Sequence, residues 1–168
     1  MIPPDARRDL TATELEDYVG RLAARPELWA GRVSHDPAAR VFEELVRDEH
    51  LAVWLICWME DHDTGFHDHD LSAGALSVVR GSVCEERLVL GGAPSSRTFS
   101  AGDTLTFAAS DIHRVAHAGS EPAVTLHAYS PPLWRMGAYE VSPEGTLRRH
   151  SMSYAEELRP LDEGAIAA

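Results

Sequence analysis

Cysteine is scarce in this 168-residue chain: it has two, Cys57 and Cys84. They sit apart in strand-like apolar runs and form no framework of spaced pairs, so a disulfide-stapled fold is excluded and a reduced, cytoplasmic protein is the simpler expectation. Long apolar runs are missing as well. None approaches the ~20 residues of a membrane-spanning helix, and Met1–Leu10 (MIPPDARRDL) has no apolar signal core. Positive charge is also short. Fifteen Lys+Arg against 27 Asp+Glu give a formal net charge of −12, which argues against nucleic acid or an anionic membrane as a partner. Basic residues cluster no further than pairs such as Arg7–Arg8 and Arg148–Arg149. No internal repeat or low-complexity tract is visible. With 44% apolar and 25% charged residues, the expectation is one globular domain, 1–168, acting on a small molecule.

The first part, 1–50, reads as helical. In TATELEDYVGRLAARPELW (11–29), Thr13 followed by Glu16 makes a capping-box pattern. Leu15, Tyr18, Val19 and Leu22 then recur at helical spacing, and Pro26 interrupts with a short turn. DPAARVFEELVRDE (36–49) offers Asp36 as N-cap and Pro37 at N1 of a second helix that buries Val41, Leu45 and Val46. From residue 51 the texture changes. LAVWLICWM (51–59), GALSVVRG (74–81), SVCEERLVLG (82–91), RTFSAGDTLTFAAS (97–110), HRVAHAG (113–119) and PAVTLHAYSPPL (122–133) are short β-rich runs divided by Gly, Asp, Ser and Pro. GSEP (119–122) has the look of a hairpin turn. Many short strands imply a mainly β sandwich or barrel, 51–142, with helices packed in front. The remainder, 143–168, is loosely patterned; SYAEELRPL (153–161) suits a short helix, and the final DEGAIAA a frayed end.

HDHD (67–70) carries the chemistry. Strand side chains alternate faces, so His67 and His69 point the same way and can both reach one metal ion. A lone histidine is more often a surface or core imidazole, and this pair becomes specific only with a third ligand. His113 is the natural candidate, about forty residues on, after the strand and turn of AGDTLTFAASD. Asp68 and Asp70 alternate onto the opposite face, so no carboxylate is well placed to complete a facial triad of two histidines and one acid. Thr125, His127 and Tyr129 stand at i, i+2 and i+4, on one face of one strand.

These motifs together resemble a known family. H-x-H, then G-D-x-x-x-F and a later His opening a strand, is similar to the cupin β-barrel pattern. CWMEDHDTGFHDHD (57–70) with DIHRVAH (111–117) and VTLHAYSPPLWRMGAYE (124–140) resembles, more narrowly, the thiol dioxygenases, whose best-known members are the cysteine dioxygenases. The resemblance runs from about residue 36 to 142, and TLHAYSPPL (125–133) is its most specific piece. It implies a cupin β-barrel, jelly-roll-like, with N-terminal helices. It implies Fe(II) on His67, His69 and His113, where three neutral imidazoles leave open positions for a thiolate and O2, with a sulfinic acid as product. Zinc and nickel also suit three histidines, so iron rests on the resemblance. By the same token Tyr129 directs its phenol to the metal, His127 orients the phenol, Thr125 orients the imidazole, and Trp58 lies near the substrate.

Two departures from the family pattern stand out. The position of the cysteine that crosslinks to the active-site tyrosine in animal members is Gly74, which excludes that crosslink. The carboxylate-binding arginine of cysteine-specific members, in a Y-x-R pattern on a helix before the first long strand, aligns with Glu43 of V-F-E (41–43). A glutamate there repels a carboxylate, so the expected substrate is a thiol other than free cysteine, such as one presenting a cation. Arg40 and Arg47 flank Glu43 and replace it if the register slips. The alternative function is a non-oxidative metal-binding cupin, an isomerase, lyase or small-molecule binder. The sequence carries no signature of oligomeric state.

Overall fold

Two antiparallel sheets face one another, and the parity of side chains along their strands explains most of the sequence pattern. The structure, a computed structural model, describes residues 7–89, 91–142 and 146–153. Helix α1 (Ala12–Ala23) and two single-turn 3-10 helices (Pro26–Leu28 and Ala30–Arg32) come first. Eleven strands follow: β1 (Val41–Arg47), β2 (Ala52–Trp58), β3 (Phe66–Asp68), β4 (Ala73–Arg80), β5 (Ser82–Arg87), β6 (Ser95–Ser100), β7 (Thr104–Phe107), β8 (His113–Ala118), β9 (Ala123–Ser130), β10 (Arg135–Val141) and β11 (Leu147–Ser153). One sheet has the order β1-β2-β9-β4-β7, the other β11-β10-β3-β8-β5-β6. This is the expected mainly β barrel-like sandwich. Among the described residues no helix is long and apolar enough to cross a membrane.

Strands β2 and β9 are buried on both faces; β2 is apolar throughout for that reason, while β9 also carries Thr125, His127, Tyr129 and Ser130. Ala52, Trp54, Ile56 and Trp58 point into the space between the sheets, with Leu76, Val83, Phe107, Val115 and Met136. Val53, Leu55 and Cys57 point the other way, beneath Leu15, Val19 and Leu22 of α1. The helix thus covers the outer face of the five-stranded sheet and leaves its inner face to line a cavity. Its capping box forms at Thr11 and Glu14 rather than at Thr13 and Glu16. Both pairs satisfy the same T-x-x-E spacing, and the earlier one starts the helix two residues sooner.

The second expected helix is a strand. Residues 41–47 form β1, paired with β2. Asp36 does not cap a helix: its Oδ1 accepts from Ala38 N at 2.9 Å, closing a tight turn that bridges Asp36 to Ala39. Val41 and Leu45 fit period two as well as period 3.6, and a bulge between Glu44 and Val46 lets both Leu45 and Val46 join the outer apolar layer. GSEP does not close a hairpin either. It joins β8 and β9, which lie in different sheets, so it is a crossover between layers. The expected boundaries at 51 and 142 also move, since β1 and β11 extend the sheets on both sides. The expected C-terminal helix falls outside the described residues, except for Ser153, which ends β11.

Strand β10 links β3 to β11, and a buried carboxylate locks the three. Asp68 receives two nitrogens of Arg149, at 2.7 and 2.9 Å, the Tyr139 hydroxyl and Gly137 N at 3.2 Å. Gly137 has no side chain because there is no room for one: a Cβ would overlap the Arg149 guanidinium and lie 2.7 Å from Asp68 Oδ2. Gly137→Ala is therefore expected to lower unfolding free energy by about 1–3 kcal/mol through overpacking, measurable by urea denaturation.

Candidate metal centre

His67 and His113 are direct register partners across β3 and β8, and His69 follows β3 by one residue. Parity on β3 turns His67 and His69 the same way. The three imidazoles meet with one nitrogen of each within 4.8 Å of the others, and all three rings are buried. Their ring centroids lie 4.8–5.1 Å apart. His67 Nδ1 sits 3.0 Å from the Gly65 carbonyl, which fixes its proton there and leaves Nε2 for a metal. His113 Nδ1 lies 2.8 Å from Glu85 Oε1, with the same consequence. Both nitrogens of His69 are buried with no hydrogen-bond partner. An imidazole left so, between two others with free lone pairs, suits a metal ion, since buried polar atoms otherwise find partners.

Electrostatics agree with that arrangement. Burial, then the neighbouring His113, pushes His67 down to about 3. Burial and the other imidazoles hold His69 well below the ordinary histidine range. Both rings are thus neutral at pH 7, the form that ligates. Burial alone would raise the Glu85 carboxyl, but bonds from His113 and Arg87 outweigh it and hold it below its usual range.

Beside the histidines lies a small cavity. His67, His113, His127, Tyr129, Arg40 and Trp54 are among the residues that line it. Tyr129, His127 and Thr125 project from one face of β9, and the contacts run in series. Trp58 Nε1 donates to Thr125 Oγ1 at 2.8 Å, Thr125 Oγ1 lies 2.8 Å from His127 Nε2, and His127 Nδ1 lies 3.3 Å from the Tyr129 hydroxyl. An indole N–H can only donate, so the outer end of this series has a fixed direction. His127 is also pushed down to about 3, first by burial and then by His113 and Arg40. Trp58 does not line the cavity. It is fully buried behind His127, its ring 6.4 Å from the imidazole, and its link to the site runs through Thr125.

The position expected of Glu43 needs correction. Glu43 pairs with Leu55, whose side chain belongs to the outer layer, so Glu43 faces away from the cavity. It is exposed and pairs with Arg32 at 3.2 Å. Arg40 is the residue that reaches in: 8% exposed, its guanidinium lies 5.5 Å over the Trp58 ring. Arg47, the other flanking arginine, lies over the Trp54 ring at 5.9 Å and pairs with Glu44 at 2.6 Å. Gly74 is in register with Tyr129 on the neighbouring strand, and a Cβ there would overlap the Phe107 ring. Asp68 and Asp70 face away from the ligands into the pairs with Arg149 and Arg135. Neither cysteine is near the centre: Cys57 is buried under α1 and Cys84 is half-buried on β5.

Similarity to known proteins points the same way. "Cysteine dioxygenase type 1" of Danio rerio is 31% identical over 136 residues, 74% of this chain and 67% of that one. The protein of the same name from Bos taurus is 24% identical over 146 residues, 80% of this chain and 72% of that one. Solved structures share the fold. A Thermus thermophilus protein superposes with a TM-score of 0.54 at 16% identity, covering 61% of this chain and 92% of its own. A cupin superfamily protein of Desulfitobacterium hafniense gives 0.53 at 12% identity, covering 61% and 87%. Residues 7–142 match the family model for cysteine dioxygenase type I; the chain belongs to that family, with a cupin fold and three histidines grouped as for a metal.

Proposed function

We propose that the protein is an iron(II)-dependent thiol dioxygenase that converts a small, carboxylate-bearing thiol to its sulfinic acid. The observation that carries this reading is a single cavity bordered by two histidines of the triad, a buried guanidinium and a phenol. Iron(II) on His67, His69 and His113 would supply the seat for a thiolate and the activation of O2. Arg40 holds the substrate carboxylate, which sets the sulfur end toward the histidines. Trp54 packs the carbon chain and, with the apolar walls, keeps water out. The Tyr129 phenol hydrogen-bonds the reacting atoms, oriented through His127 and Thr125. The overall balance is RSH + O2 → RSO2⁻ + H⁺, with both oxygen atoms ending on sulfur. Free cysteine falls within this substrate class, because the glutamate expected to reject it faces solvent.

Oxygen uptake by iron-loaded protein over a panel of mercaptoacids, aminothiols and thiol-imidazoles tests the reading, with sulfinate sought by mass spectrometry. One O2 per sulfinate with carboxylate-bearing thiols is expected, and silence across the panel overturns it. Tyr129→Phe is expected to lower kcat about 100-fold, in the range of a lost proton-handling group, with metal content unchanged.

A further inference from the structure

The three histidines differ in what holds them. His67 rests on a backbone carbonyl and His69 has no hydrogen-bond partner. His113 alone among them meets a carboxylate, Glu85 Oε1 at 2.8 Å. Glu85 is 5% exposed, and a charge so buried persists only when it is paired. Its second partner is Arg87, whose Nη2 lies 3.0 Å from the same oxygen. Arg87 Nη2 also donates to the Thr106 carbonyl at 2.7 Å, and Nη1 donates to Asp111 Oδ2 at 2.9 Å. Asp111 Oδ2 in turn accepts from Ala108 N at 3.0 Å. The contacts start at the His113 ring and return, through the 108–112 loop, to a residue two before it. Strand register builds this circuit: Arg87 pairs with His113 and Glu85 with Val115 across β5 and β8. Glu85 therefore stands diagonal to His113 on the same face.

We propose that Glu85, braced by Arg87 and Asp111, is a positioning residue for the metal, fixing His113 as its Nδ1–H tautomer with Nε2 turned toward His67 and His69. A carboxylate only accepts, so the ring proton is held on the outer nitrogen. The same bond makes the inner nitrogen a stronger donor. Among the described residues Glu85 is the only carboxylate bonded to a ring of the triad, and it brings negative charge beside a ligand set that has none of its own. The inference rests on the metal-site reading but not on thiol oxidation.

Cobalt(II) binding to the full chain tests it, read by chelator competition and by the visible spectrum, with folding followed by circular dichroism. Glu85→Ala is expected to bind cobalt about 10–100-fold more weakly, the usual effect of losing an outer partner of a metal-bound histidine, and to alter the spectrum. Glu85→Gln keeps an acceptor for Nδ1–H without the charge, so it should restore the spectrum and recover part of the affinity. Glu86→Ala is the control: Glu86 is next on β5 and pairs with Arg114 at 3.1 Å, so its affinity should match the wild type. A folded Glu85→Ala protein with wild-type affinity and spectrum overturns the inference, as does an equal loss in Glu86→Ala. If alanine prevents folding, glutamine decides, and unchanged affinity in that variant overturns it. Wild-type protein that binds cobalt tightly yet oxidises no thiol defeats the functional reading and leaves this one standing.

Discussion

His113→Ala is expected to remove the metal and the turnover together. His113 supplies one of three donors and is buried between His67 and Glu85. Alanine leaves two imidazoles and a carboxylate whose inner partner is gone. The affinity loss should exceed the roughly 10–100-fold of an outer-partner change, so purified protein should contain little metal by elemental analysis. Thiol-dependent O2 uptake should fall to background. Arg87 still pairs with Glu85 in the variant, which keeps the abandoned carboxylate from being wholly uncompensated and favours folding. Near-stoichiometric metal in a folded His113→Ala protein would sink the assignment of the triad.

Arg40→Leu should do the opposite: keep the metal and lose the substrate. A desolvated, hydrogen-bonded charge pair truncated on one side costs about 2–5 kcal/mol, which is roughly 30-fold to more than 10³-fold in kcat/KM. That loss should fall on mercaptoacids and spare thiols without a carboxylate. Glu43→Arg makes the matched comparison. Glu43 is exposed and its salt bridge to Arg32 is a surface pair, worth under about 1 kcal/mol, so preference among thiols should not change. Equal losses for acidic and non-acidic thiols in Arg40→Leu would mean that Arg40 acts on the site and not on the substrate.

How much of this could be read from the chain depends on whether the signal is local. Two histidines at i and i+2 share a face by strand geometry alone, and so do Thr125, His127 and Tyr129; the structure puts His67 of the first group and His127 and Tyr129 of the second on one cavity. The buried strands were legible because runs such as LAVWLICWM have no polar face to give to water. The first strand was not. Its apolar positions fit both periods, Asp-Pro imitates a helix start, and the bulge breaks the alternation that would have marked it. Reading β1 as a helix also turned Glu43 inward and hid Arg40, which precedes the strand and shares the inward parity of Phe42. Glu85 and Arg149 act on partners 28 and 81 residues away, and only strand register reveals such pairs. LRRHSMS (147–153) is mostly exposed and lacks the apolar alternation that announces a strand.

The grip of Arg149 on Asp68 gives the outermost strand a hold on the histidine cluster. Asp68 lies between His67 and His69, while β11 is the exposed border of its sheet. Border strands open first in native-state fluctuations. Here such an opening would free the backbone between two ligands, so release of the ion and fraying of that border should proceed as one cooperative event, and bound metal should slow amide exchange as far out as β11.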